Sequence, residues 1–226
     1  MPALIFDLDG TLVDTAPDLL GATNAVLVSE GRPTVDPATL RHMVGFGARS
    51  LIEQAMAATG APVEQARLPE LVDRFLVHYR AHIADNSIPY PGVEETLAAL
   101  QAEGRRLGVL TNKPHEMADM LLKALDLDRF FTVVYGAGRM SYVKPDARIF
   151  HDVVRDLVGV HGGSERGIMI GDSITDVATA RAAQAPVILV SYGYTPEPAA
   201  SLGGDAVTDD FRQIPELARQ IEEAKR

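Results

Sequence analysis

Short apolar runs separated by amphipathic helical patterns restrict most of this chain to one architecture. The runs are Ala3-Leu4-Ile5-Phe6, Leu107 to Leu110, Val133-Val134, Ile168 to Ile170 and Val187 to Val190. Between the later runs lie residues at helical spacing. Val93, Leu97 and Leu100 form one set, and Met117, Leu121, Leu122 and Leu125 the next. Ile149, Val153 and Leu157 follow, then Val177, Ala180 and Ala183. Buried strands alternating with helices predict an α/β fold, a Rossmann-like parallel sheet with helices on both faces. A final helix is expected over about Phe211 to Lys225, along the outside.

Residues 15–84 break that rhythm, because they contain no buried strand pattern. Leu19, Ala22, Val26 and Leu27 give one helical face. Leu51, Ile52, Ala55 and Met56 give a second, and Leu68, Leu71, Val72, Phe75, Leu76 and Tyr79 give the clearest. The reading is a helical cap domain at 15–84 inserted into an α/β core made of 1–14 and 85–226. Its links fall near Asp14 to Pro17 and Asp85 to Pro91, both of which contain proline.

Composition narrows the function classes. The chain has 226 residues, 46% of them hydrophobic, and a net charge of -10. That charge argues against nucleic-acid binding through phosphates, which needs clustered Lys and Arg. A small phosphorylated metabolite needs only a few local cations. No apolar run is long enough to span a bilayer, and the start lacks a signal-type core, so a cytoplasmic enzyme without a membrane partner is expected. The absence of cysteine removes disulfides, thiolate metal sites and thiol nucleophiles together.

The chemistry begins directly after the first run, at Asp7-Leu8-Asp9-Gly10-Thr11-Leu12-Val13-Asp14. In an open parallel sheet, functional residues gather beyond the carboxyl ends of the strands. Two carboxylates at alternate positions can face one small volume, and Gly10 permits a tight turn. Hard oxygens suit Mg²⁺, and a carboxylate beside a metal can attack phosphorus. Thr111-Asn112 ends another strand and, as the opening of a helix, suits phosphate oxygens, although a plain helix cap reads the same way. Lys144 is either a surface lysine or a counter-charge to Asp7. Gly171-Asp172-Ser173-Ile174-Thr175-Asp176 repeats the pattern of strand, glycine and acid. Asp172 is there a candidate metal ligand. Asp176 would hold a metal-bound water, orient Lys144, or merely cap a helix.

In their order and spacing these motifs resemble the haloacid dehalogenase superfamily across essentially the whole chain. Asp7-x-Asp9-Gly10-Thr11 matches its nucleophile motif, and Thr111, Lys144 and Asp172 with Asp176 match the other three. The insertion point of the helical block matches the family's first cap type. The resemblance implies Asp7 as nucleophile and Mg²⁺ ligand, and Asp9 as general acid and base that binds metal through its carbonyl. It implies Thr111, Asn112 and Gly10 around the phosphate, Lys144 as charge stabiliser and Asp172 as the further metal ligand. Dehalogenases of the superfamily lack an acid at the Asp9 position, so its presence favours phosphate chemistry.

A finer resemblance is to phosphoglycolate phosphatases. It lies in Asp14-Thr15-Ala16-Pro17-Asp18-Leu19, Val44-Gly45-Phe46-Gly47-Ala48-Arg49, Thr111-Asn112-Lys113-Pro114 and Tyr192-Gly193-Tyr194. It implies 2-phosphoglycolate as substrate, with Arg49 pairing with its carboxylate and Lys113 also within reach. The alternatives are a phosphatase for another small phosphate or pyrophosphate, a sugar phosphomutase, and a catalytically silent binding module. Either a monomer or a homodimer fits. One departure is Gln184, where the family has a helix-ending glycine. Gln in a left-handed cap costs ~1 kcal/mol, so a rearranged helix end is expected. His78 and His82 share a helix face with no acid beside them and read as solvated. Gly162-Gly163 reads as a loop.

Overall fold

The computed structural model describes residues 1–159 and 166–224. Gly162-Gly163 lies outside them. The chain begins with β1 (Ala3–Phe6), the short β2 (Val13–Asp14) and α1 (Ala16–Ser29). Next come α2 (Pro37–Arg41), α3 (Ala48–Ala58), α4 (Leu68–Ala81) and the short β3 (Ile88–Pro89). The remainder alternates: α5 (Val93–Ala102), β4 (Leu107–Pro114), α6 (His115–Ala124), β5 (Val133–Ala137) and α7 (Ala147–Val158). It closes with β6 (Gly167–Gly171), α8 (Ile174–Ala182), β7 (Val187–Val190), β8 (Ala206–Thr208) and α9 (Ile214–Ala224).

Six strands form one parallel sheet in the order β5-β4-β1-β6-β7-β8. Alternation along β1 assigns its side chains to two cores. Leu4 and Phe6 pack with residues of α5, α6 and α9, while Ala3 and Ile5 pack with residues of α7 and α8. Both faces of the sheet are therefore covered, as the uniformly apolar runs predict. β1 lies between β4 and β6, so the strand order reverses there and opens a crevice at the carboxyl ends of these three strands.

The helical block has its own apolar cluster, drawn from α1, α2, α3 and α4. Met117 of α6 and Tyr194, beyond β7, join it from the sheet side. Its two links run together as an antiparallel ribbon, Val13 opposite Pro89 and Asp14 opposite Ile88. Asp18 clasps them: its carboxylate accepts from the Asn86 N–H at 3.0 Å and from the Ser87 N–H at 2.8 Å. It also accepts from the Ser87 hydroxyl at 2.6 Å. Burial pushes this carboxyl up, but the hydrogen bonds from Ser87 and Asn86 outweigh it and hold the pKa below the ordinary value.

Several expectations need correction here. The last helix starts at Ile214, after a short 3-10 turn over Phe211–Gln213. Thr111 and Asn112 do not open a helix, because β4 continues to Pro114 and α6 begins at His115. Gln184 does adopt the left-handed conformation, φ 55°. The helix end is not rearranged around it: Ala185 N–H still reaches the Ala180 carbonyl at 2.8 Å. His82 does have an acid beside it, since its Nδ1 lies 2.7 Å from Asp85 Oδ2. No helix among the described residues is long and apolar enough to cross a membrane.

Candidate active site

Four strand ends deliver the motifs to one place. Asp7 directly follows β1, and its N–H pairs with the Ile170 carbonyl of β6 at 2.8 Å. Asp172 directly follows β6, Thr111 to Lys113 lie at the end of β4, and Lys144 is on the segment after β5. Sheet pairing thus brings together residues more than a hundred positions apart.

Asp7, Asp172 and Asp176 are all buried, and one oxygen from each lies within 4.8 Å of the others. Lys144 Nζ sits 2.9 Å from Asp7 Oδ2 and 2.7 Å from Asp176 Oδ1. Burial alone would push this ammonium down in pKa, but Asp176 and Asp7 outweigh that and hold it well above the ordinary value. The other Asp176 oxygen accepts the Asp172 and Ser173 N–H groups and the Ser173 hydroxyl, which fixes the start of α8. Among the described residues Asp172 accepts only from neutral groups, the Thr11 hydroxyl at 3.0 Å and the Tyr194 N–H at 2.8 Å. Burial, then the like charges of Asp176 and Asp7, push the Asp172 carboxyl up. Burial also pushes Asp7 up, against the pull of Lys144.

Three crowded carboxylates with one ammonium are short of positive charge. Their donors are hard oxygens, with no sulfur or imidazole among them. Such a set fits Mg²⁺ and leaves room for water in its coordination sphere. The Asp9 side chain is not part of this cluster.

Asp9 instead belongs to a second network. Its Oδ1 accepts from the Thr15 hydroxyl at 2.7 Å and from Lys113 Nζ at 2.8 Å. Lys113 also donates to the Tyr79 hydroxyl at 2.6 Å. Tyr79 is on α4, so this network ties the helical block to the sheet. Burial pushes Lys113 down, and Asp9 and Tyr79 more than restore it. Burial pushes the Tyr79 phenol up to about 12, so it stays protonated near neutrality. In the sequence, Tyr79 belongs only to an apolar helix face. Its helical spacing gave no sign of a buried polar partner.

Asp7, Asp9, Thr111, Asn112 and Lys113 line one cavity beneath the helical block. It holds about 480 Å³ of space, partly open to solvent. Leu19, Val44, Leu51, Phe75, Leu76 and Met117 make the opposite wall apolar. Asn112 Nδ2 reaches the Gly45 and Lys144 carbonyls, each at 3.3 Å, and its Oδ1 is buried without a protein partner.

Two expected substrate contacts are not brought here. Arg49 is half-buried, its Nη2 donates to Gln65 Oε1 at 2.7 Å, and it lines an adjoining open groove with Asn112 and Lys144 rather than this cavity. Gly45, Gly47 and Ala48 of the same loop do reach the cavity wall. Gly10 does not line the cavity. With φ 83° it turns the chain against Asp172, whose Oδ2 would lie 2.6 Å from a β-carbon at this position.

Comparison with known proteins agrees with this geometry. Residues 4–190 match the profile of a family described as haloacid dehalogenase-like hydrolase. A phosphoglycolate phosphatase of Caulobacter vibrioides is 47% identical over 94% of this chain and 88% of its own length. Another, from Agrobacterium fabrum, is 42% identical over 94% of this chain and 90% of its own. Among solved structures, a predicted phosphoglycolate phosphatase from Haemophilus somnus superposes with a TM-score of 0.87 at 28% identity. That alignment covers 96% of this chain and 98% of the other.

Proposed function

Because this chain belongs to the haloacid dehalogenase-like hydrolase family, we propose that it hydrolyses a phosphomonoester through an aspartyl-phosphate on Asp7, with 2-phosphoglycolate as the substrate. The observation that carries this reading is Asp7 and Asp9 on the wall of one cavity, with Lys144 on the first and Lys113 on the second.

In this mechanism an Asp7 oxygen attacks phosphorus as the bond from phosphorus to the glycolate oxygen breaks. Asp9 gives that leaving oxygen its proton. Asp9 then takes a proton from water, whose oxygen attacks phosphorus and frees phosphate from Asp7. Lys144 offsets the charge gathering on the transferring group, and Asp176 keeps Lys144 in place. The Thr111 hydroxyl and the Asn112 N–H hold phosphate oxygens. Asp7, Asp172 and the Asp9 carbonyl would hold Mg²⁺, which would supply the charge neutralisation that lets one anion approach another.

Residues 15–84 act as a cap over a core of 1–14 and 85–226, excluding bulk water from the cavity. Lys113 takes over the role first given to Arg49. An ammonium has three protons, two of which go to Asp9 and Tyr79. The third is available to a carboxylate at the glycolate end of the substrate. A small phosphorylated metabolite that also carries a carboxylate, in the cytoplasm, is the partner this site suits.

Phosphate release with Mg²⁺ across 2-phosphoglycolate, pyrophosphate, sugar phosphates and nucleoside monophosphates tests the proposal. A dominant rate on 2-phosphoglycolate is expected. A better rate on another ester discards the substrate but keeps the mechanism. Sugar-phosphate isomerisation without phosphate release replaces hydrolysis with a mutase.

A further inference from the structure

The loop after β7 touches both the acid cluster and the first link to the helical block. The mechanism above uses none of it. Tyr194 donates its backbone N–H to Asp172 Oδ2 at 2.8 Å. The phenol of the same residue accepts from the Thr15 N–H at 2.6 Å and the Ala16 N–H at 3.0 Å. It donates to Asp14 Oδ1 at 2.8 Å. One donation and two acceptances use the whole capacity of a phenol. Arg41 reinforces the arrangement, with Nη2 2.8 Å from Asp14 Oδ2 and its guanidinium 5.0 Å from the Tyr194 ring centre.

The backbone of this loop is pressed onto Asp172. A β-carbon at Gly193 would lie 2.2 Å from Asp172 Cβ, so only glycine permits the approach. Tyr192 straps the first motif from the other side, its hydroxyl donating to the Thr11 carbonyl at 3.0 Å. Tyr194 itself is buried and packs in the apolar cluster of the helical block, although the sheet carries it.

We propose that Tyr194 is a positioning residue that couples the acid cluster to the hinge of the helical block. Its backbone fixes Asp172, and its phenol fixes the chain where that block leaves the sheet. A ligand that tightens Asp172 then tightens Thr15 and Ala16, and the state of the link feeds back on affinity at Asp172 by the same factor. The inference rests on reading Asp172 as a ligand of Mg²⁺.

Hydrogen exchange of peptides covering Val13 to Leu19, with and without MgCl₂, tests it on the intact chain. Titration calorimetry on the same samples measures Mg²⁺ affinity. In the wild type, Mg²⁺ is expected to slow exchange at Thr15 and Ala16 by about fivefold or more. Tyr194→Phe keeps the backbone N–H and the ring but removes the phenol. In that variant the Mg²⁺-dependent slowing is lost, and Mg²⁺ affinity falls by a similar factor. Asp14→Asn, a second variant with the tyrosine intact, weakens the slowing in the same direction. Equal slowing in the wild type and Tyr194→Phe overturns the coupling. So does bound Mg²⁺ in the wild type with no change at Thr15 and Ala16. No Mg²⁺ binding to the wild type overturns the metal reading as well, so the two failures are told apart by calorimetry.

Discussion

Lys144 and Lys113 are both buried ammonium groups, and each is held between an aspartate of the first motif and a second partner. Lys144 bridges Asp7 and Asp176, which follow β1 and β6 of one sheet. Lys113 bridges Asp9 of the sheet and Tyr79 of the helical block. The first bridge is complete wherever the helical block lies, since Asp176 is on α8 beside the sheet. The second is complete only when α4 rests over the end of β4. In the proposed mechanism that difference gives them different work. Lys144 would serve the reacting phosphoryl group, which every substrate shares. Lys113 would meet the part of the substrate that varies.

The largest effect belongs to Asp7, which the first bridge holds. Asp7→Asn should lower turnover on every ester by on the order of 10⁴-fold or more, with circular dichroism unchanged. Activity within tenfold of wild type would remove the mechanism. Next comes Lys144→Met, expected to lower kcat by about 10² to 10³-fold. The loss should be equal for 2-phosphoglycolate and for ethyl phosphate, which lacks the carboxylate. Because Asp7 and Asp176 are left buried without their counter-charge, urea unfolding should also show a loss of about 3–5 kcal/mol at neutral pH. A loss confined to 2-phosphoglycolate would reverse the roles of the two lysines.

The bridge around Lys144 was legible in the sequence, and the one around Lys113 largely was not. Asp7 and Asp172 each follow an apolar run that could only be a buried strand, so the fold itself brings them together. Asp176 lies one helical turn beyond Asp172, a spacing that left a bound water, Lys144 and a helix cap open as its partners, and in the structure it holds both Lys144 and the start of α8. Tyr79 is different. Its position on α4 satisfies a 3.6-residue apolar repeat, and a hydroxyl at the rim of such a face leaves no mark in the pattern. Its partner is 34 positions away on another element. The direction of Arg49 is hard to read for a related reason. Its loop reaches the cavity at Gly45, Gly47 and Ala48, but the direction of one side chain depends on how α3 begins, at Gly47 with φ 86°. The ribbon of β2 and β3 is too short to show as a strand pattern, and the sequence marks these stretches only by their prolines.

A sharper division of the two lysines comes from Lys113→Met. The variant deletes one ammonium from the cavity and keeps the length of the side chain. A hydrogen bond to a charged partner contributes about 1.5–3 kcal/mol. The ratio of kcat/KM for 2-phosphoglycolate to that for ethyl phosphate should therefore fall by about 10 to 100-fold. Some loss on both esters is expected as well, because Asp9 loses a partner and keeps only Thr15. The ratio isolates the carboxylate. A ratio equal to that of the wild type would mean that Lys113 acts on Asp9 alone, and the substrate carboxylate would then need another anchor.

The smallest expected effect tests whether the helical block matters to that bridge at all. The Tyr79 phenol is neutral near pH 7, so Tyr79→Phe removes one hydrogen bond and no charge. The ring keeps its place, stacked on Phe75 with centres 5.7 Å apart. Lys113 still has Asp9 and the face of the ring, 4.4 Å from Nζ to its centre, and loses only its hydrogen bond to α4. One such bond contributes about 1 kcal/mol, which corresponds to roughly a fivefold change. That change should appear as a higher KM for 2-phosphoglycolate with kcat nearly kept, and ethyl phosphate should be unaffected. A fall in kcat on both esters would show that Tyr79 acts through Asp9 on the proton transfer. Lys113 would then be part of the chemistry, as Lys144 is, and the contrast between the two lysines would reduce to where their second partners come from.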